Sequence, residues 1–202
     1  MSPTNDLDRG SALRRVRAVI ERLVRDGTAV ARSDGTLHSL FPVAASATES
    51  EALRGWVLRE GATQTIEIGL GYGISALFTC EGLLRNGHAD ARHLALDPNQ
   101  AVRFGNCGLQ VLEEAGVAFL VEHHAEESQI ALPRFLSEGR RFDPAFVDDY
   151  QLPAVARAAS FCLTNLGWRL EAVSPADELH QWAVLRTSTV PDTRPFDDYV
   201  EF

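Results

Sequence analysis

The fold is decided by the stretch Thr-Gln-Thr-Ile-Glu-Ile-Gly-Leu-Gly-Tyr-Gly-Ile-Ser-Ala-Leu, residues 63–77. Residues 65–68 have the composition of a short buried strand, and this strand carries an acidic residue, Glu67. Alternate glycines follow before a helical pattern begins at Ile74. Glycine lets the backbone turn sharply and leaves no Cβ in the way of a ligand, while the next helix presents unpaired amides. The stretch therefore predicts a ligand-binding corner.

The glycine spacing argues against a dinucleotide site. The NAD fingerprint Gly-x-Gly-x-x-Gly, started at Gly69 and Gly71, requires a third glycine where this chain has Ile74. An NAD-dependent oxidoreductase is therefore disfavoured, and a purely structural glycine turn remains an alternative.

The corner resembles motif I of the class I S-adenosylmethionine-dependent methyltransferases, in the small O-methyltransferase-like group. The resemblance is carried by Glu67, Ile68, Gly69, Gly73 and Ser75. It implies that Glu67 faces the amino end of the methionine portion of the cofactor. It also implies that the backbone from Gly69 to Gly73, with Gly71 and Tyr72, passes under S-adenosylmethionine.

A second acidic residue ends the next predicted strand, residues 92–97. Asp97 lies where a parallel strand meets the ligand crevice of an α/β sheet, followed by Pro98 and Asn99. A carboxylate there can accept two hydroxyl protons, as the ribose diol offers. Asp97 can also cap a helix that starts at Asn99, and the two roles are compatible. We expect Glu67 and Asp97 to converge on one crevice.

A third corner follows the predicted strand 118–123. In the resembling family this corner contacts the adenine, commonly through an acidic residue and the next amide. Here His124 stands where an aspartate is more usual, so the contact must come from the Ala125 backbone, from Glu126 or from the imidazole. His123 and His124 point to opposite faces of a strand and make a poor metal pair.

The resemblance breaks after the fourth predicted strand, residues 142–147. The chain passes directly from Asp148, which fits the end of strand four, to Asp149 and Tyr150, which fit the end of strand five. A helix and a strand of about 30 residues are missing there. Either the chain has an internal deletion, or it is joined across a hidden gap, which a Cα separation well beyond about 3.8 Å would reveal.

This break leaves the catalytic groups open. Asp148, Asp149 and Tyr150 are the candidates, with His124 as a further helper, and Asp148 also belongs to the expected cofactor site. Acidic residues in these places hold a divalent metal in some of the resembling enzymes. Direct neighbours would diverge, however, so a metal is not assigned.

Composition bounds the function further. The chain has 202 residues, 45% of them hydrophobic, enough for one buried domain. A net charge of −9 and the absence of lysine disfavour nucleic acid and favour a small-molecule substrate. Three widely spaced cysteines indicate neither a disulfide framework nor a zinc site. Without a run of about 18 apolar residues or a signal core, we expect a cytoplasmic protein with no membrane contact.

The expected architecture is a Rossmann-like three-layer α/β sandwich, with a mostly parallel sheet and an antiparallel C-terminal strand pair. Strands are expected at 65–68, 92–97, 118–123, 142–147, 168–173 and 181–187. Helices are expected over 11–26, 48–60, 74–85, 99–115, 129–139 and 153–165. The divisions are an N-terminal helix and loop (1–47), an α/β domain (48–189) and a tail (190–202) that could form a homo-oligomer contact. The expected activity is methyl transfer to a small acceptor, an oxygen; the alternative is a non-catalytic cofactor-binding or assembly module.

Overall fold

The computed structural model describes residues 3–143, 145–147, 153–165, 167–175 and 181–186. The helices are α1 (Pro3–Asp26), α2 (Ala47–Arg59), α3 (Ile74–Asn86), α4 (Cys107–Glu114), α5 (Ser128–Ser137) and α6 (Pro153–Asn165). The strands are β1 (Thr28–Val30), β2 (Leu37–Ser39), β3 (Gln64–Ile68), β4 (Arg92–Leu96), β5 (Val121–His124), β6 (Ala145–Val147), β7 (Arg169–Val173) and β8 (Ala183–Arg186).

The main sheet has the strand order β5-β4-β3-β6-β8-β7. The central strand β3 pairs in parallel with β4 on one side and β6 on the other, and β5 continues the parallel set. β8 runs antiparallel to both β6 and β7. The predicted fold class, a mostly parallel sheet with an antiparallel C-terminal pair, is confirmed.

Two apolar cores cover the two faces of this sheet. Because side chains alternate along a strand, Ile66 and Ile68 face one core and Glu67 faces the other. The core against Ile66 is built with residues of α5 and α6, among them Phe135 and Cys162. The opposite core combines residues of α1, of the loop after it, of α3 and of α4. The N-terminal helix therefore shares a core with the α/β domain.

The N-terminal region differs from prediction in three details. The helix begins at Pro3 rather than Ser11. Residues 28–47 are not only loop, because β1 and β2 form a small antiparallel hairpin. Its turn is held where the Thr36 amide donates to Asp34 Oδ1, 2.9 Å away. The capping box of α2 is formed by Ser46 and Glu49, two residues earlier than the predicted pair.

Two predicted elements are shorter in the structure. Only 107–114 of the predicted helix 99–115 is helical, because Gly105 and Asn106 adopt left-handed backbone angles, φ 54° and 59°. Residues 118–120, predicted as strand, form a 3₁₀ turn before β5. In the fourth strand, β6 covers residues 145–147 of the expected 142–147.

In the described C-terminal half of the sheet, no strand lies between β6 and β8. Within the part of the chain that the structure describes, β6 pairs directly with β8, with Val147 opposite Ala183. Residues 148–152 separate β6 from α6 and lie outside the described residues. The described sheet thus agrees with the absence of a helix and strand after the fourth strand. The separation between Asp148 and Asp149 falls outside the described residues.

Candidate functional site

The glycine corner joins β3 to α3 through three left-handed glycines. Gly69, Gly71 and Gly73 have φ angles of 96°, 51° and 81°. A residue with a Cβ is strained in this region, so the turn depends on glycine. Gly73 is the N-cap of α3, and its carbonyl accepts the Leu77 amide at 3.0 Å. The predicted strand, bend and helix are therefore all present.

The two sides of the corner have different surroundings. A Cβ added to Gly73 would lie 2.9 Å from the Gly108 carbonyl oxygen, and one added to Gly108 would lie 2.5 Å from that of Gly71. Helix α4 therefore packs tightly against the corner. A Cβ added to Gly71 would have no atom within 4 Å among the described residues. Gly71 thus faces open space and can form the base of a ligand site.

A cavity of about 360 Å³ opens at this place, within the size range of small-molecule sites. It lies over the carboxyl ends of β3 and β4 and the start of α5. Five of the predicted binding residues line it, namely Gly69, Gly71, Asp97, Pro98 and Asn99. The other lining residues are Val43, Ile68, Leu96, Arg103, Phe104, Glu127, Ser128, Gln129 and Val155.

Asp97 is buried and tied to the corner by hydrogen bonds. Its Oδ2 accepts the Gly71 amide and the Gln100 side-chain amide, each at 2.8 Å. Its Oδ1 accepts the Asn99 amide at 2.7 Å. The bond from Asn99 closes a turn rather than capping a helix, because α4 begins only at Cys107. Asp97 therefore connects the ends of two neighbouring strands at the cavity wall.

Glu67 does not line this cavity. Its side chain is 0% exposed, and His93 Nε2 on β4 lies 3.2 Å from its Oε1. The His93 Nδ1 lies 2.9 Å from the Thr65 hydroxyl. Within the described residues, neither Glu67 oxygen has a partner in hydrogen-bond geometry. The expected convergence of Glu67 and Asp97 on one crevice is wrong, because strand alternation turns Glu67 towards the α3 face.

Tyr72 and Ser75 also lie outside the cavity lining. Tyr72 is buried, its hydroxyl is 3.4 Å from His38 Nδ1, and its ring packs edge-on against Phe104 at 5.1 Å. Burial raises the pKa of the Tyr72 hydroxyl. Ser75 is buried in the first turn of α3. Both side chains are therefore buried beside the corner and do not face the cavity.

At the third corner, the residues named from sequence make other contacts. His124 Nε2 lies 2.7 Å from Glu122 Oε1, and its ring packs against Phe135. Glu126 pairs with Arg134. Ala125 is exposed and, like His124 and Glu126, is absent from the cavity wall.

The cavity instead uses the next three residues, Glu127, Ser128 and Gln129, at the start of α5. The sequence indicates these residues only through the predicted start of the helix, because the first amides of a helix have no hydrogen-bond partner within it. Val43, Arg103 and Val155 come from three separate segments. No periodic pattern marks them.

The catalytic candidates Asp148, Asp149 and Tyr150 lie outside the described residues. Within those that are described, no three His, Cys, Asp or Glu side chains are grouped so as to hold a metal ion. The same part of the chain contains no helix that is both long and apolar enough to cross a membrane.

Fold and site together define a Rossmann-like α/β domain with a small-molecule cavity at the carboxyl ends of its parallel strands. The family described as Methyltransferase domain matches residues 66–169, which is half of the chain. The chain belongs to this family, and the resemblance to class I S-adenosylmethionine-dependent methyltransferases is confirmed. No curated protein matches the sequence.

Solved structures of methyltransferases share the fold. An O-methyltransferase from Bacillus cereus, in complex with S-adenosylhomocysteine, has a TM-score of 0.59 at 13% identity, over 85% of this chain and 91% of its own. The O-methyltransferase TomG from Streptomyces achromogenes, involved in tomaymycin synthesis and in complex with S-adenosylmethionine, has a TM-score of 0.52 at 16% identity. That match covers 74% of this chain and 83% of TomG.

Proposed function

We propose that this protein transfers a methyl group from S-adenosylmethionine to an oxygen atom of a small molecule. The observation that carries the proposal is the open face of Gly71 beside Asp97, in a cavity over adjacent strand ends. The family match and the two cofactor-bound O-methyltransferase structures support it.

The cavity residues fit an adenosyl group. The bare backbone of Gly69 and Gly71 would pass under the ligand, and Asp97 would accept a ribose hydroxyl. The start of α5, residues 127–129, offers a main-chain amide edge and the Gln129 side chain for the adenine. Pro98 and Asn99 would form the wall between ribose and base.

Glu67 does not line the cavity, so any effect on the ligand would come through its charge. Its buried carboxylate faces no guanidinium within the described residues and lies two residues before Gly69. In a low-dielectric interior, its charge would favour a cationic ligand above the corner. This replaces the direct contact that the motif implied.

Methyl transfer requires mainly that the acceptor oxygen, the methyl group and the sulfur are aligned. Bound S-adenosylmethionine supplies an already activated methyl group on a sulfonium. The protein must hold the acceptor oxygen in line and keep water out. Leu96, Ile68 and Val155 give the cavity an apolar floor for this purpose. We propose that a proton is removed from the acceptor by one of Asp148, Asp149 and Tyr150. The contact with Glu122 turns His124 away from this role.

The second candidate is a non-catalytic cofactor-binding or assembly module. One observation favours it: β6 pairs directly with β8 in the described sheet, so the segment that follows strand four in larger relatives of this fold is short here. Such a protein would bind S-adenosylmethionine without turnover. We further propose a cytoplasmic protein that binds neither nucleic acid nor membrane and that forms homo-oligomers through residues 190–202.

Titration calorimetry with S-adenosylmethionine, S-adenosylhomocysteine and NAD tests the proposal. We expect both adenosyl sulfur compounds to bind and NAD not to bind. Transfer of labelled methyl groups is then measured on phenols, sugars and carboxylates. Turnover on one of them supports the enzyme, and cofactor binding with no turnover on the panel supports the module. Binding of NAD alone would overturn both.

A further inference from the structure

We propose that Arg103 selects acceptor molecules that carry a carboxylate in addition to the oxygen that is methylated. The inference rests on the proposed function, since it names the substrate class of the same cavity. Arg103 lies in the segment between β4 and α4. It is the one cationic side chain among the described residues that line the cavity.

The guanidinium of Arg103 has no carboxylate at ion-pair distance within the described part of the chain. Its side-chain contact is with Phe104, whose ring centroid lies 5.5 Å from the Arg103 Cζ. A guanidinium is attracted to an aromatic ring at this distance. Arg32, which is also a surface residue, pairs instead with Glu113. The N–H donors of Arg103 are therefore available to a ligand in the cavity.

Three lining residues have no part in the proposed cofactor contacts or in the apolar floor, namely Val43, Arg103 and Phe104. Phe104 is 7% exposed and Val43 is 37% exposed, and Arg103 is exposed as well. This side of the cavity thus passes from a buried aromatic ring to a cation at the solvent. Such a surface fits a molecule with an apolar body and an acidic group.

The other charges at the cavity are negative. The two further ionisable groups among its described lining residues are Asp97 and Glu127, and the whole chain has a net charge of −9. An anionic acceptor would be repelled by this field. A guanidinium opposes the repulsion, because it can bind both oxygens of a carboxylate through parallel N–H bonds. Arg103 therefore decides whether an acid can bind in this cavity.

The substrate class that follows is a small hydroxy acid with an apolar body. The methyl group moves from the sulfonium, which becomes a neutral thioether, to the hydroxyl oxygen of the acid. The hydroxyl proton is released, and the carboxylate on Arg103 is unchanged. The guanidinium thus binds a part of the substrate that does not react.

The test compares matched acids and amides by titration calorimetry on wild-type protein saturated with S-adenosylhomocysteine. The aromatic pair is 3-hydroxybenzoate and 3-hydroxybenzamide, and the aliphatic pair is 2-hydroxy-4-methylpentanoate and its amide. We expect the acid of at least one pair to bind about tenfold more tightly than its amide, as for one hydrogen bond to a charged group. The inference is overturned if neither acid is preferred to its amide.

Variants of Arg103 then assign this preference. In Arg103→Gln we expect the acid and the amide to bind within about twofold of each other, because the charge is lost. Arg103→Lys should keep part of the preference, since an ammonium attracts the acid but lacks the paired donors. Arg14→Gln is the matched control, because Arg14 is exposed on α1 and does not line the cavity. A tenfold preference that persists in Arg103→Gln contradicts the role.

The affinity for S-adenosylhomocysteine separates the two proposals. Arg103→Gln should bind this compound within about twofold of wild type; a tenfold loss would mean that Arg103 binds the carboxylate of the cofactor, and it would overturn the inference. If wild type does not bind S-adenosylhomocysteine, the proposed function fails. If wild type binds it but prefers neither acid, only the role of Arg103 fails. The wild-type series decides this even if a variant does not fold.

Discussion

Two fully buried glutamates in this protein have opposite surroundings. Glu81 on α3 is 0% exposed and pairs with Arg17, Arg54 and Arg85, from three helices. Burial would raise its pKa, but hydrogen bonds from Arg17 and Arg54 hold the pKa of Glu81 below its usual value. Glu67 on β3 is equally buried and has only His93 at ion-pair distance among the described residues.

The comparison separates a structural acid from a functional candidate. A buried charge that is surrounded by donors joins elements of the fold. A buried charge without such donors is costly, and folds retain such costs mainly at sites of function. Glu81 ties α1, α2 and α3 together, whereas Glu67 lies in β3, two residues before the first glycine of the corner.

The largest expected effect is on stability, from Glu81→Gln. The substitution leaves the arginines without their carboxylate, and we expect the free energy of unfolding to fall by about 2–4 kcal/mol. This loss of stability is smaller than that expected for a wholly buried ion pair, because the arginine side chains can turn towards solvent. Urea unfolding measures it.

Glu113→Gln is the control for this variant, because Glu113 pairs with Arg32 at the surface. It should change stability by less than about 1 kcal/mol. If the Glu81→Gln protein is as stable as the control, Glu81 does not stabilise the fold as we expect.

The second effect is on binding, from Glu67→Gln. Removing a charge that lacks donors should leave stability within about 1 kcal/mol of wild type. The affinity for S-adenosylhomocysteine should fall about tenfold, because the negative charge two residues before Gly69 is lost. Unfolding and calorimetry on the same preparation test both parts. If the variant loses stability as Glu81→Gln does and binds normally, Glu67 is structural.

The smallest expected effect concerns Glu122, a partly exposed acid that serves as a reference for the two buried glutamates. A side-chain hydrogen bond from Arg140, helped by His124, lowers the pKa of Glu122 to about 2. The folded-state pKa is below the unfolded one, so the stabilisation is present above about pH 4.5 and is lost as the pH falls towards 2. With Glu122 41% exposed, we expect only about 1 kcal/mol.

Unfolding of wild type and Arg140→Gln between pH 6 and pH 2 checks this value. The difference between them should be largest near pH 6 and should vanish by about pH 2. A difference that persists at the acid end would mean that Arg140 acts through its packing on Phe135 and Phe142 instead.

The sequence predicted the sheet and one edge of the site because both depend on local patterns. Asp97 ends its strand and so reaches the cavity, as expected. Glu67 lies inside its strand, where alternation of side chains decides its face, and motif resemblance overrode that simpler rule. At the third corner the cavity is lined by Glu127, Ser128 and Gln129, a few residues after the ones named from sequence, since only tertiary packing sets where α5 meets the cavity. The hydrogen bond from Gln100 to the Gly71 carbonyl has no local sequence signal, because the two residues are far apart along the chain.

The central claim is that the open face of Gly71 receives an adenosyl ligand. The most direct measurement is the affinity for S-adenosylhomocysteine of wild type, Gly71→Ala and Gly61→Ala. Gly71 and Gly61 have similar φ angles, 51° and 58°, and an added Cβ meets no described atom within 4 Å at either. Backbone strain is thus matched, and only the first methyl group enters the cavity. We predict wild-type affinity for Gly61→Ala and at least about a tenfold loss for Gly71→Ala; equal affinities in all three proteins, or no binding by wild type, would contradict the account.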